Sequence, residues 1–271
     1  MTTFVSVIVT TYNWESALSL VLKSLDRQSV GNFEVIVADD GSTGETADVI
    51  NELAATVRYA LKHVWQEDKG FRAARCRNRA VLEATGDLIV FLDGDCIVRE
   101  DFVEQHLRLS ESGWFVRGNR VKLSERFTKM LLADQSLLPL NNTFGLMRLW
   151  RQRSVGRFFP LMRLPLGKLR YLRKKEWYGV KTCNLGLYRQ DFMDVNGFNE
   201  DFTGWGHEDA DLAIRLIRNG IRRKEGNFAA TVFHCYHKEV TRAEEQRNRE
   251  MLEISRTGAI KIKNGILSKT S

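Results

Sequence analysis

Two acidic clusters carry the side chains best suited to chemistry. The first is "DGD", Asp93–Gly94–Asp95, which follows the apolar run "LIVFL". Two carboxylates around a glycine at a strand end suit a hard divalent cation, Mg²⁺ or Mn²⁺, which commonly shares its coordination with substrate phosphates. The glycine is expected to let the backbone turn so that both side chains face a cleft. The same three residues also make an ordinary acidic turn. The second cluster is "GWGHEDAD", residues 204–211. Glu208 and Asp209 fall where a helix begins, where the helix dipole favours ionised carboxylates. That preference does not explain two glycines around Trp205. An indole offers a flat apolar face for a sugar ring, and a carboxylate beside it is placed to take a proton from a bound hydroxyl.

Two further groups belong with these. His234 and His237, in "VFHCYHK", offer imidazole nitrogens, which suit Mn²⁺ better than Mg²⁺. They also fit a half-exposed strand with no metal. "DKGFRAARCRNRA" puts Lys69, Arg72, Arg75, Arg77 and Arg79 at the start of a helix. Cations are unfavourable there unless an anion binds, and a diphosphate would fit.

The elements that must position these residues read as α/β. "FVSVIVT" and "FEVIVADDGS" are β-branched runs of the kind buried on both sheet faces. "TVRYALKH" predicts a third strand and "DLIVFLDGD" a fourth. Helices are expected over about 15–27, from a Ser42 or Thr43 cap to about Ala55, and over about 71–84 with Gly86 as C-cap. Strands alternating with helices imply a mostly parallel sheet with ligands at the C-terminal strand edges. "TTYN", "DDGS" and "DGDC" all follow strand ends, so they should converge. Later, a helix is expected over about 124–138, strands over "VKTCNLGLYR" and "FAATVFHCYHK", a short helix closed by Gly197, a firm helix from His207 to Gly220, and a helical tail from Arg242.

Composition bounds the class. The 271 residues are 43% hydrophobic and carry a net charge of +7. The expected organisation is a single domain over 1–271, with a nucleotide-sugar half over 1–118, an acceptor and catalytic half over 119–240, and a C-terminal tail over 241–271. A basic insertion over about 141–176 has no acidic residue before Glu176 and holds Arg148, Arg151, Arg153, Arg157, Arg163, Lys168, Arg170, Arg173, Lys174 and Lys175. Interleaved Leu, Phe and Trp suit an anionic leaflet, and a lid over an acceptor cleft is the alternative. Four scattered cysteines point to buried thiols in a reducing compartment. No signal peptide or membrane span is evident, so the expected location is cytoplasmic, peripheral to the inner membrane where the island touches it. The charge also admits a nucleic-acid binder, and the paired carboxylates a nucleotidyltransferase. The first leaves both acidic clusters unused, so nucleic acid is not expected as a partner. The second lacks a glycine-rich triphosphate loop in "TTYNWESA".

In order and spacing, "VSVIVTTYN", "FEVIVADDGS", "RNRAVLEATGDLIVFLDGD" and "GWGHEDADLAIRL" resemble a family 2 glycosyltransferase with the GT-A fold. The segment from Cys183 to Leu216 also resembles the catalytic segment of β-1,4-galactosyltransferases and bacterial chondroitin polymerase. The resemblance implies an inverting enzyme that moves a hexose or N-acetylhexosamine from a UDP-sugar to a glycan or lipid-linked glycan. It implies that Thr10, Tyr12 and Asp40 hold uracil and ribose, with Arg77 and Asp93 near the nucleotide. Asp95, His237 and His234 would hold Mn²⁺ or Mg²⁺. Asp209 would be the base, and Glu208 with Trp205 would orient the acceptor.

Overall fold

A computed structural model describes residues 3–135, 142–238 and 244–269. The first half alternates as expected: β1 Val5–Thr11, α1 Glu15–Asp26, β2 Phe33–Asp39, α2 Gly44–Ala54, β3 Ala60–Trp65, α3 Ala73–Leu82 and β4 Leu88–Asp93. After β4 come β5 Cys96–Ile97, α4 Phe102–Leu109, β6 Trp114–Arg117, β7 Asn119–Lys122, α5 Glu125–Asp134 and α6 Thr143–Arg151. The chain ends with β8 Asn184–Tyr188, α7 Arg189–Asp194, α8 Glu208–Arg218, β9 Arg222–Glu225, β10 Thr231–His234 and α9 Glu245–Ser255.

Seven strands form the main sheet in the order β3-β2-β1-β4-β8-β6-β9. Only β8 runs antiparallel to its neighbours β4 and β6. A small sheet, β5-β10-β7, stands beside it. Val7, Ile8, Val9, Val35, Ile36 and Val37 are fully buried, because α1 covers one face of the parallel strands and α3 the other. Each such side chain contributes roughly 2 kcal/mol relative to exposure. The main sheet draws strands from both sides of residue 118.

Several boundaries differ from the sequence reading. The third strand starts at Ala60, because the amides of Thr56 and Val57 still bond to the Leu53 carbonyl at the end of α2. Thr43 stands at the N-cap of α2 without a side-chain bond, while the Ser42 hydroxyl accepts from the Asn13 amide. Helix α3 closes at Leu82 with Glu83 as its cap, so Gly86 is no C-cap. Helix α5 ends at Asp134, where Gln135 turns left-handed at φ 48°; the rest of the expected span reaches residues 136–138, outside the described set. Strand β10 stops at His234, which puts His237 beyond it. The tail helix is α9, and its expected start at Arg242 lies outside the described residues.

The basic island is built onto the fold. Arg163 pairs with Asp101, and Arg170 donates to the carbonyls of Glu225 and Asn227. The Arg223 amide donates to the Lys174 carbonyl, so island backbone meets the β9 edge of the sheet. The outward side carries Phe144, Trp150, Phe159, Leu169 and Leu172, all exposed. No helix among the described residues is long and apolar enough to cross a membrane. All four cysteines are free and buried.

Candidate active site

Strand register brings the predicted clusters together. β1 lies between β2 and β4, with Thr10 opposite Ala38 and Asp93, so the ends of all three strands meet at one edge. Gly94 crosses this edge close to β1. Its amide donates to the Thr10 carbonyl at 2.7 Å, and a Cβ on it would come within 2.9 Å of that oxygen. Its φ is not positive, so the glycine is needed for close approach and not for an unusual turn.

Asp95 stands where three elements join. Its carboxylate lies 3.5 Å from His234 Nε2 and 3.4 Å from His237 Nε2. Cys235, between the two histidines, donates its amide to the Asp95 carbonyl and holds the strands in this register. Burial first, and then Asp93, pushes the Asp95 carboxyl up to about 7. Burial, helped by Arg120 and His237, pushes His234 down to about 3, so its imidazole is neutral. Asp95, Cys96 and His234 bring donor atoms within 4.8 Å of one another, a group that could hold a metal ion, whereas His237 lies near Asp95 but outside that group; an imidazole nitrogen favours Mn²⁺ over Mg²⁺. Trp14 meets the His237 ring edge-on, with centroids 6.0 Å apart, and orients it. Nothing in the sequence singled out Trp14.

Several of the residues expected to hold the nucleotide already have protein partners. Tyr12, half exposed, donates its hydroxyl to Asp68. Asp40 is buried, and its two carboxylate oxygens accept from Gln66 Nε2 and the Arg72 amide. Arg72 is the N-cap residue of α3. The anion that this basic helix start called for is therefore supplied, at least in part, by Asp40 from β2. Arg77 is also buried. Its guanidinium donates to Thr10 Oγ1 at 3.0 Å, Asp93 at 3.2 Å and Glu208 at 3.1 Å. Arg77 is thus a strut between strand ends and α8, with Glu208 committed to it.

The loop expected to meet the acceptor has unusual backbone. Gly204, Gly206 and His207 all have positive φ, at 72°, 101° and 77°. Glycine takes this conformation freely and His207 does not, so the loop must be held from outside. The clamp comes from α9: Asn248, fully buried, donates to the carbonyls of Thr203 at 3.0 Å and Gly206 at 3.1 Å. Ser255 on the same helix donates to Asp211, which also holds buried Arg215. Asp211 is therefore structural. Asp209, half buried, accepts one hydrogen bond, from the Ala210 amide. Burial, and then Glu208, raises its carboxyl to about 7, and Lys181 is the largest opposing charge. Sequence reasoning missed Lys181, Arg120 and Asn248; all three act across long sequence separations, which local pattern does not reveal.

The model of the glycosyl transferase family 2 matches residues 6–191, and that for "N-terminal domain of galactosyltransferase" matches residues 168–238. The chain belongs to glycosyl transferase family 2, and its fold is GT-A. It is 32% identical over 80% of its length to validoxylamine A glucosyltransferase of Streptomyces hygroscopicus subsp. limoneus, covering 48% of that protein. It is 25% identical over 90% of its length to chondroitin synthase of Escherichia coli, covering 36% of it. The chain spans about half or less of the length of these relatives. Among solved structures it resembles S. aureus TarS 1-349 in complex with UDP-GlcNAc, with a TM-score of 0.66, 17% identity, and 93% of this chain and 66% of that chain covered. It also resembles the mannosyltransferase PcManGT of Pyrobaculum calidifontis in complex with GDP-Man and Mn²⁺, at TM-score 0.62, 20% identity, and 94% and 63% covered.

Proposed function

We propose that this chain transfers a hexose or N-acetylhexosamine from a UDP-sugar to a hydroxyl of a glycan or lipid-linked glycan, with inversion, in bacterial surface polysaccharide synthesis. One observation carries the reading: Glu208–Arg77–Asp93 forms a continuous polar link from the helix bearing Asp209 to the loop bearing Asp95. A proton acceptor and a diphosphate-binding corner thus border one cleft. Asp95, His234 and His237 would hold Mn²⁺, and this cation, when bound, neutralises charge on the leaving nucleotide. Asp209 takes the proton of the acceptor hydroxyl as it attacks the sugar carbon from the face opposite the diphosphate. One base and one displacement give inversion. Trp205 offers its ring to the acceptor. Glu208, tied to Arg77, holds the base helix in place and orients the acceptor from there. Thr10, Tyr12, Asp40 and Asp93 frame the nucleotide. Tyr12 must exchange Asp68 for the nucleotide to contact it through its hydroxyl. The test is calorimetry and turnover on one variant. Asp209→Asn should bind UDP with Mn²⁺ as wild type does and lose transfer; undiminished transfer would end the assignment.

The outward face of the island supports a second element of the reading. Phe144 and Trp150 on α6, with Phe159, Leu169 and Leu172, stand exposed among Arg148, Arg151 and Lys168. Such a face suits an anionic leaflet, which would put the enzyme in the cytoplasm, peripheral on the inner membrane and next to a lipid-linked acceptor. Nucleic acid is the weaker partner, because Arg163 and Arg170 are already spent on the fold. Co-sedimentation with anionic vesicles and not with neutral ones is the expected result; equal, negligible binding to both removes this element.

A further inference from the structure

We propose that Cys96, Cys183 and Asp93 form a second, soft-metal site in the floor of the cleft, which takes Zn²⁺ or Cd²⁺ and excludes the nucleotide when filled. The proposal rests on the functional reading above only for its inhibitory consequence. Strand pairing brings the three side chains together. Leu92 of β4 pairs with Asn184 of β8, so Cys183, one residue before, falls beside Asp93. Cys96 of β5 pairs with His234 of β10. A carboxylate oxygen of Asp93 and the two sulfurs all lie within 4.8 Å of one another, and Cys96 is also within 4.8 Å of donor atoms on Asp95 and His234.

The corner is built before any ion arrives. Asn184, 1% exposed, donates to the carbonyls of Asn119 and Ala230, and its side-chain oxygen accepts from His106 Nε2. Cys183 is therefore held against β7 and the loop before β10. Arg120 donates to the Cys183 sulfur at 3.8 Å. Tetrahedral Zn²⁺ with Zn–S of about 2.3 Å needs sulfurs just under about 4 Å apart, so the side chains need to close by about 1 Å or less. Thiolates select Zn²⁺ and Cd²⁺ over the hard cations that carboxylates prefer. Each thiol must release its proton to solvent as the ion enters. Asp93 would then leave Arg77, and a fourth ligand from Asp95 or His234 would be taken from the Mn²⁺ corner. The soft site and the hard site cannot both be filled.

Purified full-length chain under oxygen-free reducing conditions, titrated with Cd²⁺ alone, should show the ultraviolet sulfur-to-cadmium charge-transfer band and saturate at one ion per chain. Cys183→Ala and Cys96→Ala should each lose most of the band, while Cys76→Ser keeps it. A saturating Cd²⁺ or Zn²⁺ addition should weaken Mn²⁺-dependent UDP binding by about tenfold or more in the wild type, and by about twofold or less in Cys183→Ala. Chelation followed by Mn²⁺ should restore binding. A wild type with no band, or a band that survives both alanine variants, overturns the site. Equal loss of UDP binding in wild type and Cys183→Ala assigns the inhibition to the histidines and overturns it too. A wild type that shows the band and no Mn²⁺-dependent UDP binding would instead count against the glycosyltransfer reading and leave the sulfur site standing.

Discussion

Asp95 and Asp209 each neighbour one end of the Glu208–Arg77–Asp93 link, and both carboxyls are pushed up to about 7 by burial and a neighbouring acid. Their surroundings differ. Asp95 faces two imidazoles, and its ionised form needs a cation to be stable. Asp209 has Lys181 and Arg77 as its opposing charges and no imidazole among the groups that shift it. One cause thus raises two carboxyls in different settings, which suits the proposed roles of metal ligand for Asp95 and proton acceptor for Asp209. Environment, not residue type, separates them.

The sharpest way to break this comparison is to remove each acid in turn. Asp95→Ala should abolish Mn²⁺-dependent UDP binding, read by calorimetry, and with it all turnover. Asp209→Asn should lower transfer by about 10³-fold, near the middle of the range for a general base, and leave UDP binding intact. Identical phenotypes in the two variants would merge the corners into one. The pH profile comes next. A base works only when ionised, so at saturating Mn²⁺, which keeps Asp95 ionised, kcat/KM should fall about tenfold per unit as pH drops below about 7, and this limb should vanish in Asp209→Asn. Trp14→Ala frees the His237 ring and should weaken Mn²⁺ affinity by about tenfold, measured by titration, with no change in the acid limb. Smallest is Lys181→Met. Lys181 lowers the Asp209 pKa, so its loss should move the limb upward by a few tenths of a pH unit, a shift on the order of 0.5 kcal/mol.

The metal corner was far more legible in the sequence than the base corner. β1, β2 and β4 are continuous apolar runs, and such runs announce buried parallel strands together with the loops at their ends. Thr10, Asp40, Asp93 and Asp95 could be placed on that basis alone. β6, β7 and β9 are four residues each, and β9 reads "RRKE" although three of its four residues are buried. Their polar groups are met by distant partners: Arg223 by the carbonyls of Glu176 and Tyr178, and Lys224 by Glu111. Local pattern cannot show such a strand. The acceptor loop was read for its glycines and its tryptophan, but its clamp, Asn248, sits more than forty residues on, in a helix with no apolar signature of its own. The helix start at Arg72 reads as wanting a bound anion such as a diphosphate; at the cap, a carboxylate from β2 accepts from the Arg72 amide.

Arg77 has a consequence for how this cleft tolerates change. One guanidinium is shared by a threonine at the end of β1, an acid of the DGD loop and Glu208, the neighbour of the proposed base Asp209. A shorter or neutral side chain at 77 would leave Glu208 and Asp93 as like charges across a dry gap. Kinetics of such a variant would mix weakened donor grip with a displaced base and could be credited to neither. The two halves of the reaction hang on a single peg, so drift at position 77 would have to be matched on both walls at once.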